Sequence, residues 1–153
     1  MKSRKLSIES AEAERLRYQM EADRIISAVD RNRFGQVATP ALLAESMIRT
    51  AQRIFPECLP IRFLDPAFGT GVFYSAVLKV YGLRNIESAQ SFEVDSALIN
   101  FAQNLWSPFG IKIKATDFTH AQEPTLERDK PNLIVCNPPY VGTIIFHRTP
   151  KLD

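Results

Sequence analysis

The chain has 153 residues, the size of one domain and enough for a single sizeable core. Its hydrophobic share of 45% and charged share of 24% match globular averages and exclude a disordered, collagen-like or mucin-like chain. The net charge is only +2; residues 1–33 hold 8 basic and 6 acidic groups, which leaves the remainder balanced at 11 and 11. That neutral body lacks the basic face of a self-sufficient nucleic-acid binder, so any such role must rest on a local site. Cys58 and Cys136 are the two cysteines, with neither a disulfide framework nor the spacing of a metal motif, and a reducing, cytoplasmic setting is expected. No apolar run reaches the roughly 18 residues of a membrane span, and no apolar stretch follows Lys2, Arg4 and Lys5, so neither a membrane nor an export signal is expected.

From Ser7 to Val29 the chain is rich in Glu, Arg and Ala, and Tyr18, Ala22, Ile25 and Val29 recur at helical spacing. This N-terminal segment, residues 1–30, reads as an amphipathic helix packed on the flank of the domain or on a partner. Arg31 to Gln36 breaks the pattern. Thr39 and Pro40 then open a second helix to about Phe55, with Thr39 as N-cap and Leu43, Met47, Ile48 and Ala51 as its buried stripe. After Pro60, short apolar runs alternate with helical segments: strands over 61–65, 89–94, 111–115 and 133–136, helices over 70–81 and 96–106. Parallel neighbours need such crossovers, so the class is α/β, with a parallel sheet covered by helices. Gln122 to Pro131 is polar and reads as a surface loop.

The sharpest local signal is Asp65-Pro66-Ala67-Phe68-Gly69-Thr70-Gly71, which follows a strand and opens a helix. Small residues there admit close approach of a ligand to the backbone, and a helix N-terminus supplies free N–H groups. The dinucleotide fingerprint places a third glycine where this chain has Tyr74, and no Gly-Lys-Ser/Thr follows, so NAD and ATP lose ground. Taken alone, the segment is also compatible with an ordinary glycine-rich turn. Glu93 ends the second strand about 20 residues further on, where nucleotide-binding sheets hold a ribose diol with a carboxylate. The competing reading makes Glu93 and Asp95 helix-capping charges. Asp117 and Phe118, at the end of the third strand, combine a carboxylate for an adenine amino group with an aromatic face for its ring.

Asn137-Pro138-Pro139-Tyr140 follows the apolar strand Leu133 to Cys136. Two prolines remove two N–H donors and leave an acceptor-rich edge suited to an amino group, while Tyr140 offers a surface on which a base can stack. Cys136 reads as core rather than nucleophile, and His120 and His147 as surface residues.

Together these elements resemble the S-adenosylmethionine-dependent N6-adenine DNA methyltransferases of restriction-modification systems, gamma motif order, over roughly residues 31–142. Phe34-Gly35-Gln36-Val37-Ala38-Thr39-Pro40 matches the family's upstream cofactor segment and favours the DNA-adenine branch. Asp65 to Gly71 is similar to the methionine-binding turn, Glu93 to the ribose ligand, and Asp117 with Phe118 to the adenine pocket. Asn137, Pro138, Pro139 and Tyr140 match the catalytic tetrapeptide, which glutamine and RNA-guanine methyltransferases share. The resemblance implies S-adenosyl-L-methionine as cofactor, no metal, and DNA with a flipped adenine as partner. It also implies a partial methyltransferase domain over 31–153, a truncated Rossmann-like fold of about four parallel strands, because family members continue through further strands and a target-recognition domain. A second chain that supplies this missing half is then an expected partner. The competing functions are a cofactor-binding module without activity of its own and a methyltransferase that acts on RNA or protein.

Overall fold

The structure, a computed structural model, describes residues 7–25, 38–56 and 59–138. The upstream residues Phe34 to Val37, the tetrapeptide members Pro139 and Tyr140, and Cys58 and His147 lie outside the described residues.

Helix α1 spans Ile8–Ile25 and α2 spans Ala41–Ile54. Strand β1 (Ile61–Asp65) leads through the Gly turn into α3 (Val72–Tyr81). Then follow β2 (Ile86–Glu93), α4 (Ser96–Trp106), β3 (Ile111–Ala115) and a short β4 (Leu133–Ile134). All pairings are parallel and the strand order is β3-β2-β1-β4. The order reverses beside β1: β2 and β3 lie on one side of it and β4 on the other. In open α/β sheets the ligand crevice lies at such a switch point, here the carboxyl ends of β1 and β4.

β1 alternates strictly, with Ile61, Phe63 and Asp65 buried on the face that meets the helices and Arg62 and Leu64 on the other. Phe63 packs on Tyr74 of α3, ring centroids 5.7 Å apart, and Tyr74 meets Trp106 of α4 edge-on at 5.9 Å. The Tyr74 hydroxyl donates to the Phe109 carbonyl at 2.6 Å. The bulky residue that breaks the dinucleotide fingerprint is therefore a core strut, filling the space a glycine would leave for close helix–strand packing. α3 is buried along most of its length, because α1 and α2 pack against it from outside. The opposite face, among the described residues, is crossed by residues 118–131, which leave a groove of about 360 Å³ over Leu64, Gln90 and Phe92.

Four expectations need correction. α2 buries Ala44 and Ile48, not the wider stripe: Leu43 is 52% and Met47 42% exposed. It touches α3 along one i, i+4 ridge, too narrow to cover a third column. Nor is Thr39 the N-cap; that position is Pro40, without a side-chain cap. Finally, β2 begins at Ile86 rather than 89, since Ile86 pairs with Ile61 and Ser88 with Arg62, and the register shifts between them past Glu87. β4 pairs over two residues only, although the Val135 N–H still donates to the Leu64 carbonyl at 3.1 Å.

Candidate active site

The Gly turn is pinned at both ends of its path across the sheet. The Phe68 N–H donates to the Phe92 carbonyl at 2.9 Å, and the Gly69 N–H donates to Glu93 Oε2 at 2.7 Å. Glu93 Oε1 accepts from the N–H groups of Val94 and Asp95. Capping of α4 falls to Asp95, whose Oδ1 accepts from Ala97 and Leu98. Asp95 thus caps the start of α4, while Glu93 ties the Gly turn to the end of β2.

Gly69 and Gly71 have φ of +56° and +87°, a left-handed region costly to a side chain. A Cβ on Gly71 would also lie 2.4 Å from Trp106 Nε1 and 2.8 Å from Phe68 Cζ. A Cβ on Gly69 would meet no atom within 4 Å. Gly71 therefore serves internal packing, whereas Gly69, among the described residues, borders open space. Pro66 and Ala67 are half-buried and Phe68 is buried beneath the turn.

Asp65 is 1% exposed at the end of β1. Its Oδ1 accepts from the Ala67 N–H at 3.0 Å, while Oδ2 is buried without a hydrogen-bond partner among the described residues. Burial pushes this carboxyl up to about 7, against the pull of the Ala67 N–H, and the negative charge of Glu93 adds to the rise. Cys136, half-buried after β4, feels the same neighbourhood: burial and the Asp65 charge push its thiol up. A thiol raised in this way is a poor nucleophile.

Asn137 reaches back across the crevice. Its Nδ2 donates to Thr39 Oγ1 at 3.1 Å, a contact between residues 98 positions apart. Thr39 is thus engaged by the residue that follows β4 and not by its own helix. Pro40 and Pro138 are exposed beside this contact in sequence. Asp117 and Phe118 lie just beyond β3, whose Ala115 is in register with Glu93. Asp117 Oδ1 accepts from the Thr119 N–H and hydroxyl, both at 2.8 Å, which holds its carboxyl below the usual range. Phe118 is 40% exposed, with its edge on Phe92 at 5.1 Å.

The crevice has further supports that its sequence pattern does not reveal. Thr70 is gripped by Arg15, Gln19 and Trp106. In the sequence, Arg15 and Gln19 sit among the many polar residues of α1 and look like part of a solvated face.

This fold belongs to a recognisable class. The chain has the Rossmann-like fold of the class I S-adenosylmethionine-dependent methyltransferases. One solved structure of that description, from Listeria monocytogenes, matches 88% of this chain and 42% of its own with a TM-score of 0.64 at 14% identity. In sequence the chain is similar to the type II methyltransferase M.AccI of Acinetobacter calcoaceticus, 33% identical over 116 residues, or 75% of this chain. It spans 20% of that relative's length. No protein-family model matches the chain.

Proposed function

We propose that the chain binds S-adenosylmethionine in the crevice between β1 and β4 and serves a methyltransferase that modifies adenine N6 in DNA. The observation that carries this reading is the Asn137–Thr39 hydrogen bond, which joins the tetrapeptide's asparagine to the upstream Thr-Pro segment at the mouth of the Gly turn. The fit of the cofactor rests on two features of the residues present. A buried carboxylate oxygen without a partner, Asp65 Oδ2, is the group that a ligand ammonium satisfies. The open flank of Gly69 leaves room along the turn. Glu93 would take the ribose hydroxyls, and Asp117 with Phe118 the adenine end.

S-adenosylmethionine supplies an activated methyl group on a sulfonium. For their part, the residues of this chain hold and orient the acceptor. Anchoring Nδ2 on Thr39 sets the plane of the Asn137 amide, and so the direction of Oδ1, an acceptor with two lone pairs. Oδ1 and the Pro138 carbonyl then accept hydrogen bonds from a flipped adenine's amino group, which keeps its nitrogen lone pair turned toward the methyl donor. Tyr140 would stack on the base. Holding the reacting atoms about 3 Å apart and in line supplies much of the rate by proximity.

Calorimetry with S-adenosylmethionine and its demethylated product tests the binding step. Heat of binding is expected, and Glu93→Gln should weaken it by about 1–3 kcal/mol, since a carboxylate bond to the ribose is lost. A folded chain that takes up no heat at millimolar cofactor would sink the reading. Labelled methyl transfer to adenine-containing DNA, RNA and protein, with the chain fused to the remainder of a type II methyltransferase such as M.AccI, tests the substrate class. Label on RNA or protein in place of DNA would reassign it.

A further inference from the structure

The polar contacts of Thr70 form a cluster that the proposed chemistry leaves unused. Thr70 lies between the two left-handed glycines and is 8% exposed. Its Oγ1 accepts from Arg15 Nη1 and donates to Gln19 Oε1, each at 3.3 Å, and its carbonyl accepts from Trp106 Nε1 at 2.9 Å. Arg15 is 2% exposed and is itself held by Glu12 through two hydrogen bonds of 2.7 and 2.8 Å. Glu12 in turn lies 3.8 Å from Lys79 Nζ of α3. Gln19 is braced by Asp23 at 3.1 Å, and Tyr18 stacks on Phe101 of α4 with ring centroids 3.8 Å apart.

Stability alone does not call for this arrangement. A buried Arg–Glu pair pays for desolvation and is replaced by packed apolar side chains at little or no loss. What a charged, forked donor adds is direction. Here the direction is spent on one hydroxyl, at the residue flanked by Gly69 and Gly71, the two positions of the turn with the widest backbone freedom. We infer that α1 is a working part of the cofactor turn: Arg15 and Gln19 are positioning residues that hold Thr70, and through it the turn, in the shape that receives the ligand. Docking of α1 and ligand binding at the turn are then linked, each favouring the other by the same factor. This inference rests on the reading of the turn as a cofactor site.

Thr70→Val removes the hydroxyl and keeps the shape, and Thr70→Ser keeps the hydroxyl. Amide hydrogen exchange without ligand is the first readout. Thr70→Val should speed exchange in residues 67–71 and along α1 about fivefold or more, with α4 and the strands unchanged, and Thr70→Ser should restore the wild-type rates. Calorimetry with S-adenosylmethionine is the second: the dissociation constant should rise about five- to tenfold in Thr70→Val and recover in Thr70→Ser. In the wild type, adding the cofactor should slow exchange along α1 as well as in the turn. Gln19→Leu, at a half-buried position, gives the same test in milder form should Thr70→Val not fold. Wild-type exchange in both Thr70→Val and Gln19→Leu would overturn the inference even if the cofactor binds well. A wild-type chain that binds no cofactor, yet loosens at the turn in Thr70→Val, would keep the positioning role and overturn only the cofactor reading.

Discussion

Asp65 concentrates the site's electrostatics in one side chain. Its carboxyl is raised to about 7 in the folded chain, chiefly by burial, against about 4 when unfolded. Between those values the folded state binds more protons than the unfolded, so stability should fall as pH rises from about 4 to 7 and level off above. Urea denaturation at pH 5 and pH 8 checks this. Asp65→Asn should flatten the profile, with the variant more stable than wild type at pH 8 and near it at pH 5; a wild-type profile that rises over the window would contradict the assignment. Ligand binding should show the opposite slope, because a ligand ammonium needs the ionised carboxylate, and Asp65→Asn should bind cofactor weakly at every pH. Asn137 is expected to act separately from Asp65. Its amide faces Thr39 across the crevice mouth, so in an active fusion Asn137→Ala should abolish methyl transfer and leave cofactor affinity within about threefold, well below the worth of one charged hydrogen bond. Calorimetry beside a transfer assay distinguishes the two, and full-rate transfer with alanine at this position would end the catalytic assignment.

At the scale of elements, α1 and α4 converge on Thr70 of the turn, whose carbonyl accepts from the Trp106 indole N–H, and the Trp106 ring sits against Gly71. Trp106→Phe leaves that buried carbonyl without its donor, at a cost of about 1–3 kcal/mol. Thermal melting should fall by several degrees, given about 2–4 °C per kcal/mol near this chain length, and an unchanged melting point would show that the carbonyl finds another partner. Much of this layer was legible beforehand. β1, α4 and β3 run over the residues expected of them, because each is bounded by a residue with one structural meaning: Pro60 and Pro66 around β1, Asp95 before α4, Gly110 before β3. The parallel sheet followed from the alternation of strands and helices. Less legible were contacts whose partners lie far off in sequence. Arg15 carries the same letter on a solvated helix face as in a buried pair, and nothing local tells Thr39 the helix cap from Thr39 the partner of Asn137. Glu93 and Asp95 are likewise equivalent by composition; the Gly69 N–H, 24 positions away, is what separates them.

For the molecule as a whole, the α-helices among the described residues gather on one face of the sheet, and this asymmetry bears on its behaviour in solution. Among the described residues the outer side of β4 has no neighbouring strand, Ile134 is 57% exposed, and Leu64 lines an open groove on the far face. An unpaired strand edge with apolar side chains is a template for pairing with another chain, and a net charge of +2 offers little repulsion against it. The 153-residue chain is therefore expected to self-associate as its concentration rises. Ile134→Lys, which places a charge on that face without touching the buried core, should shift the distribution toward monomer while far-ultraviolet circular dichroism stays the same. The balanced charge also predicts weak hold on nucleic acid: few phosphates can be neutralised, so affinity for mixed-sequence DNA should be low and its salt dependence shallow. Light scattering over a concentration series and a salt titration of DNA binding read the two effects separately. A chain that stays monomeric throughout would show that the β4 edge is covered, and steep salt-dependent binding would reveal a basic surface that the charge balance does not display.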